Sequence, residues 1–255
     1  MAQLVLLGTG AALSDRTREH TYMAACGEKE SVLIDCSGSP IQRLLQANIP
    51  LDTIDHVILT HHHPDHIYGI SIFLLGLWLS GRKKVLHIYG LKETLRATRA
   101  MLHAFEWEYW IKFGMFPVEF HTLARKGINL MLVTKEFTIS TTMTQHLLPT
   151  VATRVTSNKS GKTIVYSSDT EVCDSIIEFS RDADMLFHES TSVSVASNGH
   201  SSAVQAGQQA QRAGVKKLVL VHLPPNGDVK ELKAAAKRNF PRQVVVAKDF
   251  QRFEF

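Results

Sequence analysis

Thr60-His61-His62-His63-Pro64-Asp65-His66 is the stretch from which the rest of the chain is read. His56-Val57-Ile58-Leu59 before it is a short apolar run of strand type, and Ile67 to Ser80 after it is apolar and long enough for a helix. The cluster therefore falls at a strand-to-helix junction. Imidazoles and a carboxylate suit a borderline cation such as Zn²⁺, and alternation along an emerging strand points His61 and His63 the same way. Asp65 and His66 turn toward a second position. One metal rarely takes four ligands from one loop while keeping a place for water, so the spacing points to two cations. An expression tag would lie at a terminus and would lack the interior aspartate and the flanking strand.

A length of 255 residues admits one large domain or two small ones, and 44% hydrophobic with 20% charged residues is the balance of a globular protein. The net charge of +4 is compatible with an anionic substrate and too small to demonstrate one. Cys26, Cys36 and Cys173 form no CxxC pair, and their odd number argues against a disulfide framework, so reduced, buried thiols are expected. Met1 to Leu7 is apolar but has no basic segment and runs into Gly8-Thr9-Gly10, so it reads as a first strand rather than a leader. The run after the histidines is broken by Gly69, Ser71 and Gly76 and is short for a bilayer span, so a cytoplasmic protein is expected.

Leu4 to Leu7 reads as a buried strand, and Gly8-Thr9-Gly10 as a tight turn where backbone can approach a ligand. Leu13 stands where a dinucleotide fingerprint needs its third glycine, which excludes that motif. In the polar loop Asp15 to His20, Arg16 and Arg18 either meet phosphate or lie solvated. Tyr22 to Cys26 and Ser31 to Ile34 suggest a hairpin, and Ile41 to Ala47 a helix with Ser39 as cap and Pro40 as first residue. Val85 to Tyr89 reads as a strand and Leu91 to Ala104 as a helix. Phe105, Trp107, Tyr109, Trp110, Phe113 and Phe116 keep no clean period; they are expected under a loop, the alternative being a substrate wall or homodimer contact beside the metals.

Further strands are expected at Glu119 to Thr122, Leu130 to Val133, Phe137 to Thr144, Val151 to Thr156, Thr163 to Tyr166, Met185 to Phe187, Val215 to Val221 and Val244 to Val246. Ser201 or Ser202 can cap a helix from Ala203 to Ala213, and Val229 to Arg238 reads as an exposed basic helix. Strand, loop and helix in repetition indicate a layered α/β fold. No repeat of short period and no low-complexity linker divides it, so residues 1–255 are expected to form one domain.

His61-x-His63-x-Asp65-His66 after a hydrophobic strand resembles the HxHxDH signature of the metallo-β-lactamase superfamily. That resemblance implies a four-layer αββα sandwich and a dinuclear centre of two divalent ions, zinc foremost, with Mn²⁺ or Fe²⁺ as alternatives. It places His61, His63 and His146 on one metal, Asp65, His66 and His222 on the other, and Asp169 between them. Two such ions hold a bridging water, lower its pKa toward neutrality and clamp attacking and leaving oxygens, with Asp65 placed to orient or deprotonate that water. His63 stands where the di-iron redox branch typically has a glutamate.

Leu7-Gly8-Thr9-Gly10, Tyr166-Ser167-Ser168-Asp169-Thr170, His188-Glu189-Ser190-Thr191 and Gly199-His200-Ser201-Ser202 resemble, in order, motifs of the ribonuclease Z-like branch. The resemblance implies a phosphodiesterase in which Glu189 and His200 stabilise the transition state and protonate the leaving group. A carboxylate beside an imidazole raises its pKa, which keeps a proton donor at neutral pH. Only 22 residues separate His146 from Asp169, too few for a long tRNA-gripping arm, and Leu223-Pro224-Pro225-Asn226-Gly227 follows His222 in place of a Ser-Arg-Tyr-like segment. A small or short phosphodiester is therefore expected rather than tRNA. The alternatives are a lactone, thioester or aryl sulfate hydrolase on the same site, or a metal-binding protein without turnover.

Overall fold

Apolar runs too short for a helix become strands: Gln3–Gly8 (β1), Tyr22–Cys26 (β2) and Ser31–Ile34 (β3) form an antiparallel meander in the computed structural model, which describes residues 1–255. Ile54–Leu59 (β4), Leu86–Gly90 (β5) and Val118–Thr122 (β6) continue the sheet in parallel. Parallel neighbours need crossovers. These are Pro40–Gln46 (α1), Pro64–Ile67 (α2) with Ile70–Leu79 (α3), and Lys92–Ala104 (α4) with Trp107–Lys112 (α5).

The second sheet repeats the scheme. Asn129–Val133 (β7), Phe137–Met143 (β8), Val151–Ser157 (β9) and Thr163–Tyr166 (β10) are antiparallel, and Met185–Glu189 (β11), Lys217–Val221 (β12) and Gln243–Val246 (β13) follow in parallel. Asp174–Phe179 (α6), Ala203–Ala213 (α7) and Val229–Lys237 (α8) make its crossovers. Arg252–Glu254 (β14) then returns to pair with β1, giving the orders β14-β1-β2-β3-β4-β5-β6 and β13-β12-β11-β10-β9-β8-β7.

Burial on both faces of each sheet makes four layers. Leu4, Leu6, Ile34 and Ile58 face Phe137, Ile139, Phe187 and Val219 between the sheets. The alternate residues Val5, Leu7, Leu33 and Val57 pack outward on Leu44, Phe73 and Leu95 of the helices. Across the second sheet Leu186, Leu218 and Leu220 meet Ala206, Ala210 and Leu232. This is the αββα sandwich, and no helix in it is long and apolar enough to cross a membrane.

Local chemistry explains most boundaries. Ser202 accepts from Gln205 N–H while the Gln205 side chain accepts from Ser202 N–H, a capping box worth roughly 1 kcal/mol. Ser39 precedes α1, but its side chain makes no capping bond, so Pro40 alone sets that start. The apolar stretch after the histidines is two helices, because the break at Tyr68 and Gly69 lets Gly69 N–H donate to Cys36 O at 3.0 Å. Cys36 N–H donates to His66 O at 2.8 Å, so the end of β3 is stitched to the histidine loop.

Other expectations are corrected. The backbone approach at Gly8 is to the chain's own residues 19 and 20, where Thr9 and Gly10 N–H both donate to Glu19 O; no ligand is needed to explain the turn. Arg18 is tied to Asp15 at 3.0 Å. The aromatic segment forms α5: Trp107 and Trp110 pack inward while Phe105, Tyr109 and Phe113 face out. α8 buries Leu232, Ala235 and Ala236, so only its outer face is the basic one expected. All three thiols are free, but only Cys36 is fully buried.

α7 and α8 pack closely at Gly207, where an added Cβ would overlap the Ala236 carbonyl oxygen. Gly207→Ala gains about 1 kcal/mol of helix propensity and incurs about 1 to 3 kcal/mol of overpacking against backbone. The expected net result is a lower midpoint in urea unfolding; an unchanged or higher midpoint would show that the two helices can part freely.

Candidate metal centre

The polar side chains of the site stand where strands of both sheets end. Asp35 follows β3, the histidine loop follows β4, His146 follows β8, Asp169 follows β10, Glu189 closes β11 and His222 follows β12. Asp35, Ser168 and His222 have φ of 61°, 53° and 51°, so three of these strands turn out of the sheet through a left-handed residue. Such conformations persist where surrounding bonds hold them.

Two sets of donors result. His63 Nδ1 is 3.0 Å from His61 Nε2 and 3.1 Å from His146 Nε2, while Asp169 Oδ2 lies 3.8 Å from His61 Nε2 and 3.9 Å from His146 Nε2. In the second set Asp65 Oδ2 is 3.5 Å from His66 Nε2 and 3.4 Å from His222 Nε2, and Asp169 Oδ1 is 3.5 Å from each of those nitrogens. Donors about 2 Å from one tetrahedral cation stand roughly 3.3 Å apart, so both sets have the dimensions of a metal cage. The two oxygens of Asp169 divide between them.

The free ring nitrogens are fixed by this chain's own bonds. His61 Nδ1 meets Thr60 Oγ1 at 3.1 Å, His66 Nδ1 donates to Asp35 Oδ2 at 2.8 Å, and His146 Nδ1 donates to Gly199 O at 2.6 Å. Each bond leaves Nε2 as the inward donor. His66 Nε2 and Asp169 Oδ1 are buried without any hydrogen-bond partner. Orphans of this kind are rare, and a burial penalty of several kcal/mol per ion makes so many enclosed carboxylates costly without a cation. The donor set fits a divalent metal.

Protonation agrees with that fit. Burial pushes His61 well below the ordinary histidine range, and His63 and His146 move the same way for the same first reason, which leaves neutral imidazoles able to ligate. Burial would lower His66 too, but Asp169 and Asp35 raise it well above its ordinary range, so a cation bound at Nε2 would have to displace a proton. Against burial, His222 and His66 hold Asp65 and Asp169 below the usual carboxylate range.

Glu189 and His200 lie alongside. Glu189 is fully buried, its Oε1 accepting from Thr170 N–H at 2.6 Å and from His200 Nδ1 at 3.1 Å. His200 stacks on His222 with ring centroids 5.6 Å apart and meets His146 edge-on at 5.0 Å, so it touches a residue of each set. Burial pulls the His200 pKa down, and the Glu189 hydrogen bond and charge more than reverse it. His188 points away: its Nε2 meets Gln209 Nε2 at 2.8 Å and its Nδ1 meets Glu189 O at 2.9 Å, and burial pushes it down to about 4. A cavity of about 890 Å³ next to the site has Arg125, Ile128, His146, Leu147 and Pro149 in its wall.

Asp35 is the residue that sequence reasoning missed. It is fully buried and accepts from Thr60 N–H at 2.8 Å, Thr60 Oγ1 at 3.0 Å and His66 Nδ1 at 2.8 Å. A signal was present, since Asp35 is an acid directly after the apolar run Val32-Leu33-Ile34.

Comparison with known proteins agrees with this architecture. The probable metallo-hydrolase YhfI of Bacillus subtilis (strain 168) is 33% identical over 229 residues, which cover 86% of this chain and 85% of that protein. The crystal structure of the YhfI metallo-β-lactamase fold protein superposes with a TM-score of 0.83 at 26% identity, covering 100% of this chain and 99% of that one. Ribonuclease Z of Methanosarcina acetivorans is 25% identical, with 100% of this chain and 98% of that protein aligned over 310 positions, so the relative carries sequence that this chain lacks. Residues 2–246 match the family model described as anti-Pycsar protein Apyc1, and the chain belongs to that family, a ribonuclease Z-like member of the metallo-β-lactamase superfamily of metal-dependent hydrolases.

Proposed function

We propose that residues 1–255 form one dinuclear phosphodiesterase domain. In it His61, His63 and His146 hold one cation, Asp65, His66 and His222 the other, and Asp169 both. The observation that carries this reading is the division of Asp169, with Oδ2 toward the first set and Oδ1 toward the second. Zinc suits five imidazoles and two carboxylates best, with Mn²⁺ or Fe²⁺ compatible with the oxygen donors. Bound there, such ions would supply Lewis acidity and a water acidified toward neutrality.

The chain's own groups do the rest. Asp65, kept below the usual carboxylate range, is a weak proton acceptor, so its part is to orient rather than to deprotonate. Glu189 fixes the His200 ring through Nδ1 and stabilises the imidazolium, which leaves Nε2 to donate a proton to the departing oxygen of a phosphodiester. Asp35 keeps the His66 ring in place without touching the reacting atoms. A small or short phosphodiester fits the 22-residue spacing between His146 and Asp169.

Three outcomes test the reading. Metal analysis of the purified protein gives two equivalents per chain that His61→Ala fails to retain in full, and chelation abolishes hydrolysis of bis(p-nitrophenyl) phosphate until Zn²⁺ or Mn²⁺ is restored; cleavage of a lactone alone would overturn the assignment. His200→Ala loses about 10²- to 10⁴-fold in kcat on a phosphodiester with an alkoxide leaving group and far less on a p-nitrophenyl ester, whose leaving group needs no proton. Equal losses on both substrates would remove His200 from the donor role. Asp35→Asn weakens metal binding about 10- to 100-fold by competition titration with a chromogenic chelator, and unaltered affinity would show that His66 holds its orientation unaided.

A further inference from the structure

A second group of metal-binding side chains lies on the first sheet, away from the centre described above. His87 on β5 sits opposite Glu119 on the edge strand β6, and His121 is two residues further along β6. Residues two apart on one strand and their partner across the ladder project from the same face. That face is the one turned from the α3 and α4 helices, since Leu86, Ile88, Val118 and Phe120 occupy the other. The register makes the three donors converge: His87 Nδ1 is 3.0 Å from His121 Nε2 and 3.3 Å from Glu119 Oε2, and the last two atoms are 3.7 Å apart.

We propose that His87, Glu119 and His121 bind a further divalent cation of the Zn²⁺ class, clamping the edge strand β6 to β5. The donor separations fall within the same range as those of the two sets around Asp169. Two imidazoles and one carboxylate with a fourth position left to water is a common zinc environment. The rings are held in place by neighbours: His121 stacks on Tyr89 at 4.7 Å with planes 22° apart, and His87 stacks on His56 at 5.2 Å and 20°. Tyr89 Oη in turn meets His56 Nδ1 at 3.3 Å, so four aromatic side chains form one braced row. Access is open, with the side chains of His121 40% and Glu119 57% exposed.

The site is separate from the dinuclear one. His56, paired with His87, precedes His61 by five residues of extended chain, roughly 16 Å. It has no residue in common with either set and does not depend on the hydrolytic reading. A cation here would tie the edge strand β6 to its single neighbour β5 through side chains as well as through the ladder.

Equilibrium dialysis against Zn²⁺ with metal analysis tests this on the whole chain. The double variant His87→Asn, His121→Gln is expected to bind one equivalent fewer than wild type and to keep its hydrolytic rate within about two-fold, and Glu119→Gln alone to bind that equivalent at least ten-fold more weakly. His61→Ala removes metal from the other site and retains this equivalent, so the two readings fail independently. Equal metal content in wild type and the double variant would overturn the proposal and leave the 3.0 Å contact as a hydrogen bond between the two rings. Should the double variant fold poorly, unchanged Zn²⁺ affinity in Glu119→Gln overturns it as well.

Discussion

The Asp35 carboxylate is the constraint on which the site depends. A buried acid costs several kcal/mol unless its oxygens are fully used, and here three donors use them. Two of the three come from Thr60, the residue that opens the histidine loop, and the third from His66, which closes it. One side chain at the end of β3 thus fixes both ends of a loop that leaves β4. Thr60 Oγ1 passes the constraint to His61 Nδ1, so Asp35 sets the ring directions of a histidine in each donor set.

The sheets make this possible by bringing strand ends together. In each sheet three antiparallel pairings are followed by three parallel ones, and the parallel strands deliver polar residues at one end. Donors drawn from four different strand ends need rigid carriers, because a displacement of 1 Å would spoil an arrangement whose atoms stand 3.0 to 3.9 Å apart. The interior packing of Leu4, Ile34, Ile58, Phe187 and Val219 supplies that rigidity directly beneath the site.

Much of this was legible in the residues because the information was local. The hairpin of β2 and β3, the helix α7 with its Ser202 cap, and the histidine loop are each specified within a few positions. What escaped reading was specified elsewhere. α6 has six residues, too few to show a period, and β14 has three and exists only through its pairing with β1. Asp35 looked like an ordinary strand end, since its partner His66 lies 31 positions away. The aromatic segment misled because its spacing mixes two demands, packing of Trp107 and Trp110 under α4 and an outward face on Tyr109 and Phe113.

β14 has a consequence for the order in which the molecule can be assembled. Gln3 pairs with Glu254, and Phe255 N–H donates to Ala2 O, so β1 waits for a neighbour made after every strand of the other layer. Until then the β1 margin has free amide and carbonyl groups and an uncovered pocket for Phe253 and Phe255. Nascent chains stalled short of that point would carry a sticky border, and a chaperone with affinity for extended backbone would find its target there.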